Sequence, residues 1–302
     1  MRILITGASG QLGHELKSSL ESLQCQIGKV DEAYRNAQVD YADHASLDIA
    51  SLRSVESWFA KHSVYDLIIN AASMTNVDGC EKNEAQAYKV NAHGPEYLAA
   101  MAKKQGAKFV QVSTDYVFSG TDPAPRTESD QICPVSAYGR SKLAGEFLAQ
   151  AECERTFIVR TAWLYGSVGK NFVKTMIRLA SERHEINVVA DQFGNPTSAN
   201  DLSYEILKLA LTDHYGIYHV TNEGWCSWFD FACAVVDGLG IECQKHPLSS
   251  AQYKALFPQS ADRPHYSALE NRHLMTTIGN QMRPWQEALK SFLCNLQKAT
   301  KS

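Results

Sequence analysis

Along the first 165 residues, unbroken apolar runs alternate with longer stretches in which apolar residues recur every three or four positions. The runs at 3–6, 25–30, 67–71, 109–112 and 157–160 lack the in–out alternation of a strand with one wet face, so they predict strands buried on both faces. The stretches between them predict amphipathic helices, and this alternation predicts an α/β fold: a doubly wound parallel sheet with helices on both sides. After Tyr165 the rhythm loosens. A helix is expected near 171–183, a strand at 186–190, a helix near 200–211, a strand at 217–221 and a helix capped by Ser227. No repeat, low-complexity tract or long Pro/Gly linker divides the chain, so the parts before and after residue 165 should pack as one unit, with segments of the second returning to the first sheet.

Composition narrows the function classes. With 302 residues and 44% hydrophobic content the chain can bury a large core. Its net charge of −4 gives no basic surplus for nucleic acid or an anionic membrane surface, so neither is an expected partner. The opening MRILITGASG fits a buried strand better than a signal peptide, and no run approaches the roughly 20 apolar residues of a membrane span. Eight scattered cysteines, without C-x-x-C or zinc-ligand spacing, read as free thiols in a reducing cytoplasm.

The segment ILITGASGQLGHEL places Gly7, Gly10 and Gly13 directly after the first strand and at the start of the first helix. Glycines there allow a sharp turn and close approach of a pyrophosphate, whose charge the helix N-terminus meets. This points to a Rossmann-type dinucleotide-binding domain over 1–165, followed over 166–302 by a smaller, mainly substrate-binding domain. Asp31 ends the expected second strand, where an acid would bond the adenosine ribose and favour NAD over NADP. Arg35 is close enough to greet a 2′-phosphate but reads better as a solvated charge, so NADH and NADPH both stay open. Asp48 and Ile49 stand where an acid would meet adenine, and capping of a helix over 51–62 explains Asp48 equally well. Ala71 and Ala72 close the next strand at its ligand edge, and simple close packing is a comparable account of them.

Ser113 and Thr114 end the fifth strand, and SAYGRSKLAGE (136–146) follows on the next helix. Tyr138 and Lys142 are four apart, hence on one helix face. An ammonium beside a phenol would stabilise the phenolate and bring its pKa toward neutrality. Tyr138 could then protonate the alkoxide formed when hydride adds to a carbonyl, while Thr114 hydrogen-bonds the same oxygen and Lys142 holds the nicotinamide ribose.

The segments GASGQLG, NAASMTNVD, STDYVFSG, YGRSK, RTAWLYG, ADQFGNPT and RPHYSALE occur in the order seen in the extended short-chain dehydrogenase/reductases. Within that superfamily the chain most closely resembles the dTDP-4-dehydrorhamnose reductases, from Met1 to about Leu293. The resemblance implies that NADPH or NADH reduces the 4-keto group of dTDP-4-dehydro-β-L-rhamnose to dTDP-L-rhamnose, a polysaccharide precursor. Tyr138 would be the proton donor, Lys142 its electrostatic partner, and Thr114 the group that orients the carbonyl. It also implies cofactor contacts from Ser9, Gln11 and Leu12 beside Gly7, Gly10 and Gly13, and from Asp31, Asp48, Ile49, Ala71 and Ala72. Thr75, Val77, Tyr116 and Trp163 would form the sugar pocket, where aromatic faces suit a deoxy sugar's apolar side; plain packing accounts for Trp163 almost as well. Asn171 and Arg263 would meet the dTDP portion, Arg263 by gripping phosphate bidentately. Asp191 and Gln192 would position the loop around the nucleotide.

Related dehydratases need adjacent Asp and Glu after the threonine to eliminate water. Here Thr114 is followed by Asp115 and Tyr116, which favours plain hydride transfer. Two other readings remain open: a non-catalytic NADP-binding regulatory subunit like that of methionine adenosyltransferase, and a reductase or epimerase of another nucleotide sugar. Some members of the resembled family dimerise around magnesium held by glutamates. Glu15 matches one such position, but Asn200 stands near where a second carboxylate would be needed, and an amide is a poorer ligand. The expectation is therefore no metal site, a monomer or weak homodimer, and Glu15 as an ordinary first-helix charge.

Overall fold

The computed structural model describes residues 1–301, with side chains to residue 298. Six parallel strands form the central sheet: β1 (Arg2–Thr6), β2 (Gln38–Ala42), β3 (Leu67–Asn70), β4 (Lys108–Thr114), β5 (Thr156–Thr161) and β6 (Gly216–His219), in the spatial order β6-β5-β4-β3-β1-β2. The unbroken apolar runs are explained by burial on both faces. Along β1, Ile3 and Ile5 pack with Leu12, Leu16 and Leu20 of α1 (Gln11–Ser22) and with Leu202 and Ile206 of α6 (Ala199–Ala210). Leu4 faces the other way, toward Val55 and Phe59 of α2 (Leu52–Lys61), Leu98 and Ala102 of α3 (Gly94–Gln105) and Ala149 of α4 (Ala137–Glu152). A third core joins α5 (Phe172–Glu182), α7 (Trp228–Gly238) and α8 (Trp285–Lys301) around Tyr165 and Phe231. Gly216–His219 adds the central sheet's sixth strand beside β5, and α6 packs along α1.

The expected strand over 25–30 is a correction. Gln24–Cys25 and Gly28–Lys29 form a short antiparallel hairpin outside the main sheet, with the Gln26 amide held by Asn200 Oδ1 at 2.8 Å. The partner of β1 is instead Gln38–Ala42, whose sequence QVDYA is half polar. It is an edge strand with partly exposed side chains, so it needs no continuous apolar run. The expected helix over 171–183 and strand over 186–190 appear as Phe172–Glu182 and Glu185–Val189. The Ser227-capped helix is present with a full capping box, in which Ser227 and Asp230 satisfy each other's backbone amides.

Candidate active site

The glycine turn sits between β1 and α1 and is shaped by what a side chain would strike. Gly7 has φ +70°, and a Cβ there would lie 2.6 Å from the Ala72 amide nitrogen. A Cβ on Gly13 would enter the Gly7 carbonyl. The turn therefore rests directly on Ala71 and Ala72, so the structure brings the glycines and the two alanines together. No side chain caps α1 at Gly10, and its first turn carries no acid, which leaves a helix N-terminus suited to a pyrophosphate. The cradle fits a dinucleotide. Ser9 is exposed at the turn, whereas Leu12 sends its side chain into the core and can offer only backbone. Asp48 closes a local turn through the Ala50 amide at 3.0 Å, the cap of α2 being Ser51. Ile49 is buried in the core against Gly94.

Asp31 is not where the sequence reading put it. The Val30 amide bonds the Leu23 carbonyl at the far end of α1, whose 12 residues span about 18 Å from the glycine turn. There Asp31 caps a 3-10 turn through the Ala33 amide at 2.8 Å, and Arg35 pairs with Glu32. The acid that ends the strand beside β1 is Asp43. Ala42, just before it, accepts the Ala8 amide at 3.1 Å, so Asp43 adjoins the glycine turn. Its carboxyl is exposed and held below the usual range by the Ser46 backbone amide and hydroxyl. The sequence signal was available in YADH, but it required placing the edge strand first.

At the carboxyl end of β4, Thr114 Oγ1 donates to Asp115 Oδ1 at 2.8 Å and also contacts the Tyr138 phenol. Burial pushes the phenol's pKa up; the Thr114 hydroxyl offsets part of that rise, and the Asp115 carboxylate adds to it. Lys142 Nζ donates to the Val112 carbonyl at 2.6 Å, and among the described residues no hydrogen bond joins it to Tyr138. Burial lowers Lys142 to about 8, with Glu146, one further turn along α4, acting against that fall. The expected acidification of the phenol by its ammonium neighbour is thus corrected for this state. Both groups are desolvated among protein atoms, and burial is the largest cause of each shift. Asp115 is itself raised to about 6 by burial, against the pull of the Ser267 and Thr114 hydroxyls.

The rest of the candidate pocket gathers around Tyr116, whose ring meets Tyr138 edge-on with centroids 5.4 Å apart. The guanidinium of Arg263 lies beside the Tyr116 phenol and 3.9 Å from Asp78, at the start of the helix Val77–Lys82. Cys80 of that helix and Met74, just before it, pack with Tyr138, and Val77 and exposed Thr75 belong to the same segment. Gly139 has no room for a Cβ against the Tyr116 carbonyl, which is why α4 can approach so closely. Trp163 stands two residues past Thr161, the register partner of Thr114, with φ +46°. A left-handed residue with a Cβ costs about 1–3 kcal/mol, and such outliers concentrate at functional sites.

Asn171 is placed elsewhere. It caps α5 through the Lys174 amide at 3.0 Å and donates to Gln11 and the Gly166 carbonyl, both at 2.9 Å; no contact among the described residues joins it to Arg263. Its proximity to Gln11 associates it with the glycine turn. Asp191 and Gln192 both bind Ser250, tying the 191–195 loop to the short helix Ser250–Leu256. Glu15 is on the first helix and is buried there. One carboxylate oxygen accepts from Ser167 at 2.6 Å and the other from Asn200 at 3.0 Å. Sequence reasoning missed Asn91, in a π-helical turn at Lys89–His93. It holds the Met74 amide at 2.8 Å and the Ser141 hydroxyl at 3.1 Å, pinning the loop after β3 to α4.

The family model of the RmlD substrate binding domain matches residues 1–298. A spore coat polysaccharide biosynthesis protein, SpsK, of Bacillus subtilis is 38% identical over 97% of this chain and 96% of its own length. The crystal structure of a dTDP-4-dehydrorhamnose reductase from Clostridium acetobutylicum superposes with a TM-score of 0.90 at 43% identity, covering 98% of this chain and all of that one. The enzyme of that name from Bacillus anthracis, in complex with NADP, gives 0.89 at 40% identity, covering 97% and 99%.

Proposed function

The chain belongs to the RmlD substrate binding domain family, and from that premise we propose that it is a dTDP-4-dehydrorhamnose reductase, reducing the 4-keto group of dTDP-4-dehydro-β-L-rhamnose to dTDP-L-rhamnose. The carrying observation is the convergence of Thr114, Tyr138, Tyr116 and Arg263 at the carboxyl edge of the sheet, beyond a glycine turn shaped for a dinucleotide. Bound NADPH or NADH supplies the hydride. Tyr138 protonates the new C4 oxygen. An alkoxide is about as basic as hydroxide, the conjugate base of water at pKa about 15.7, so even a phenol raised by burial donates downhill. Burial and the Asp115 carboxylate keep Tyr138 protonated, as a donor must be. Thr114 would supply the second contact to the same oxygen, and Lys142, which donates to the Val112 carbonyl, would hold the cofactor ribose. Arg263 grips a phosphate of the dTDP group. Because residue 116 is a tyrosine, the turn after Thr114 has no adjacent carboxylate pair to expel water, which favours reduction over elimination.

The test is turnover. Purified protein mixed with NADPH or NADH and the 4-keto sugar nucleotide should consume the reduced nicotinamide, faster with dTDP than with UDP or GDP sugars. Tight cofactor binding with no turnover would defeat the proposal and favour a regulatory subunit.

A further inference from the structure

The geometry points to Trp228 as a positioning residue for the sugar pocket: it clamps the indole of Trp163 and so sets the wall that Trp163 offers to the sugar. This rests on the reductase reading for the identity of that sugar. Trp163 has a left-handed backbone, φ +46°, that steric contact with its own Cβ disfavours. Three separate restraints hold it there. Trp228 lies flat against its ring, with centroids 3.4 Å apart and planes within 5°. Gly194 leaves the space the indole fills, since any Cβ there would enter the Trp163 ring. The Thr197 amide bonds the Trp163 carbonyl at 3.2 Å, just where Leu164–Tyr165 pairs in parallel with Thr197–Ser198.

Trp228 is itself fixed. It is the first residue of α7, behind the Ser227–Asp230 capping box, its amide bonds the Gln192 carbonyl at 3.2 Å, and Phe172 packs on it with ring centroids 4.4 Å apart. An unfavourable backbone persists only where its surroundings over-determine it, and ligand clamps are where such positions cluster. The clamp also connects to the proton-donating group. Gly194 follows Phe193, whose carbonyl takes the Ser267 amide at 2.8 Å, and Ser267 sits against Asp115 beside Thr114. A rigid indole covers the apolar face of a deoxy sugar with little side-chain freedom left to lose on binding.

The experiment titrates wild-type and variant protein separately with dTDP and with dTDP-L-rhamnose by calorimetry. Cofactor affinity is followed by nicotinamide fluorescence, and the stacked indoles by near-ultraviolet circular dichroism. Trp228→Leu keeps apolar bulk but cannot stack. It should lose the exciton signal of the paired indoles and about tenfold in dTDP-L-rhamnose affinity, with dTDP and cofactor affinities unchanged. Trp228→Phe, which can stack, should recover most of that affinity. Unchanged dTDP-L-rhamnose affinity once the exciton signal is gone would overturn the clamp. So would a parallel loss of dTDP and cofactor affinity, which marks general loosening. Wild-type protein that binds the two ligands equally well would overturn the reductase reading instead, and with it the sugar as the clamp's target.

Discussion

At the scale of single residues, the site depends on desolvation more than on charge pairing. Tyr138→Phe removes only the phenolic hydroxyl, so turnover should fall by roughly two or more orders of magnitude while cofactor affinity holds; stopped-flow turnover and a binding titration check both. Lys142 has its folded pKa depressed to about 8 by burial, so it carries its charge below that pH and loses it above. Cofactor affinity should therefore weaken as pH rises through about 8, and Lys142→Met should bind weakly at every pH without that limb. Asp115 is displaced the other way, from 3.8 to about 6. A carboxyl whose folded pKa is raised stabilises the fold below its unfolded pKa and loses that contribution as pH climbs through the folded value. Between pH 4 and pH 7 wild-type protein should lose on the order of 2 kcal/mol relative to Asp115→Asn, measured by urea denaturation at each pH.

At the scale of elements, the strand–turn–helix at the amino terminus was legible because each glycine answers a local steric demand. The demands are unequal. A Cβ on Gly10 would come no closer than 3.1 Å to the Gly7 carbonyl oxygen, whereas one on Gly13 would collide with backbone on both Gly7 and Ala8. Gly13→Ala should thus lower thermal stability and cofactor affinity well beyond Gly10→Ala. The edge strand was harder to read, since QVDYA of β2 and CQIGKV at 25–30 are similarly mixed in polarity, and the latter serves a hairpin against α6. That misplacement moved the acid expected beside the glycine turn from Asp43 to Asp31. From Asn36 to Leu52 no lysine or arginine accompanies Asp43. Asp43→Ala should therefore cost about tenfold or more in NADH affinity, the range for a hydrogen bond to a charged group, and shift preference toward NADPH. Asp31→Ala should change neither. Cofactor titrations of the two variants decide between the positions.

For the whole molecule, α4, which carries Tyr138 and Lys142, is locked to the sheet by a fully buried ion pair. Glu146 of α4 accepts from Arg160 Nε at 2.9 Å and from its terminal nitrogen at 2.6 Å, and also takes the Ser113 hydroxyl. Removing one partner leaves an uncompensated buried charge, so Glu146→Gln should destabilise the protein by about 3–5 kcal/mol, read from chemical unfolding. The pair fixes α4 one and two turns beyond Lys142 and Tyr138, which makes global stability and the placement of Tyr138 one property.

The sequence alone determined what local sterics and burial patterns encode. These are the strands buried on both faces, the glycine turn, the capped helices and the presence of Thr114, Tyr138 and Lys142 on neighbouring elements. Only the tertiary structure decided which strand borders β1, which acid therefore adjoins the turn, and that Glu15 is buried between Ser167 and Asn200. It also decided that Tyr138 and Lys142 are each governed by desolvation, and that Trp163 is held in an unfavourable backbone by a residue 65 positions away. The physical reason is range. Helix caps and tight turns are settled within a few residues, while strand order, solvent exclusion and strain depend on chain segments that meet only when the molecule is folded.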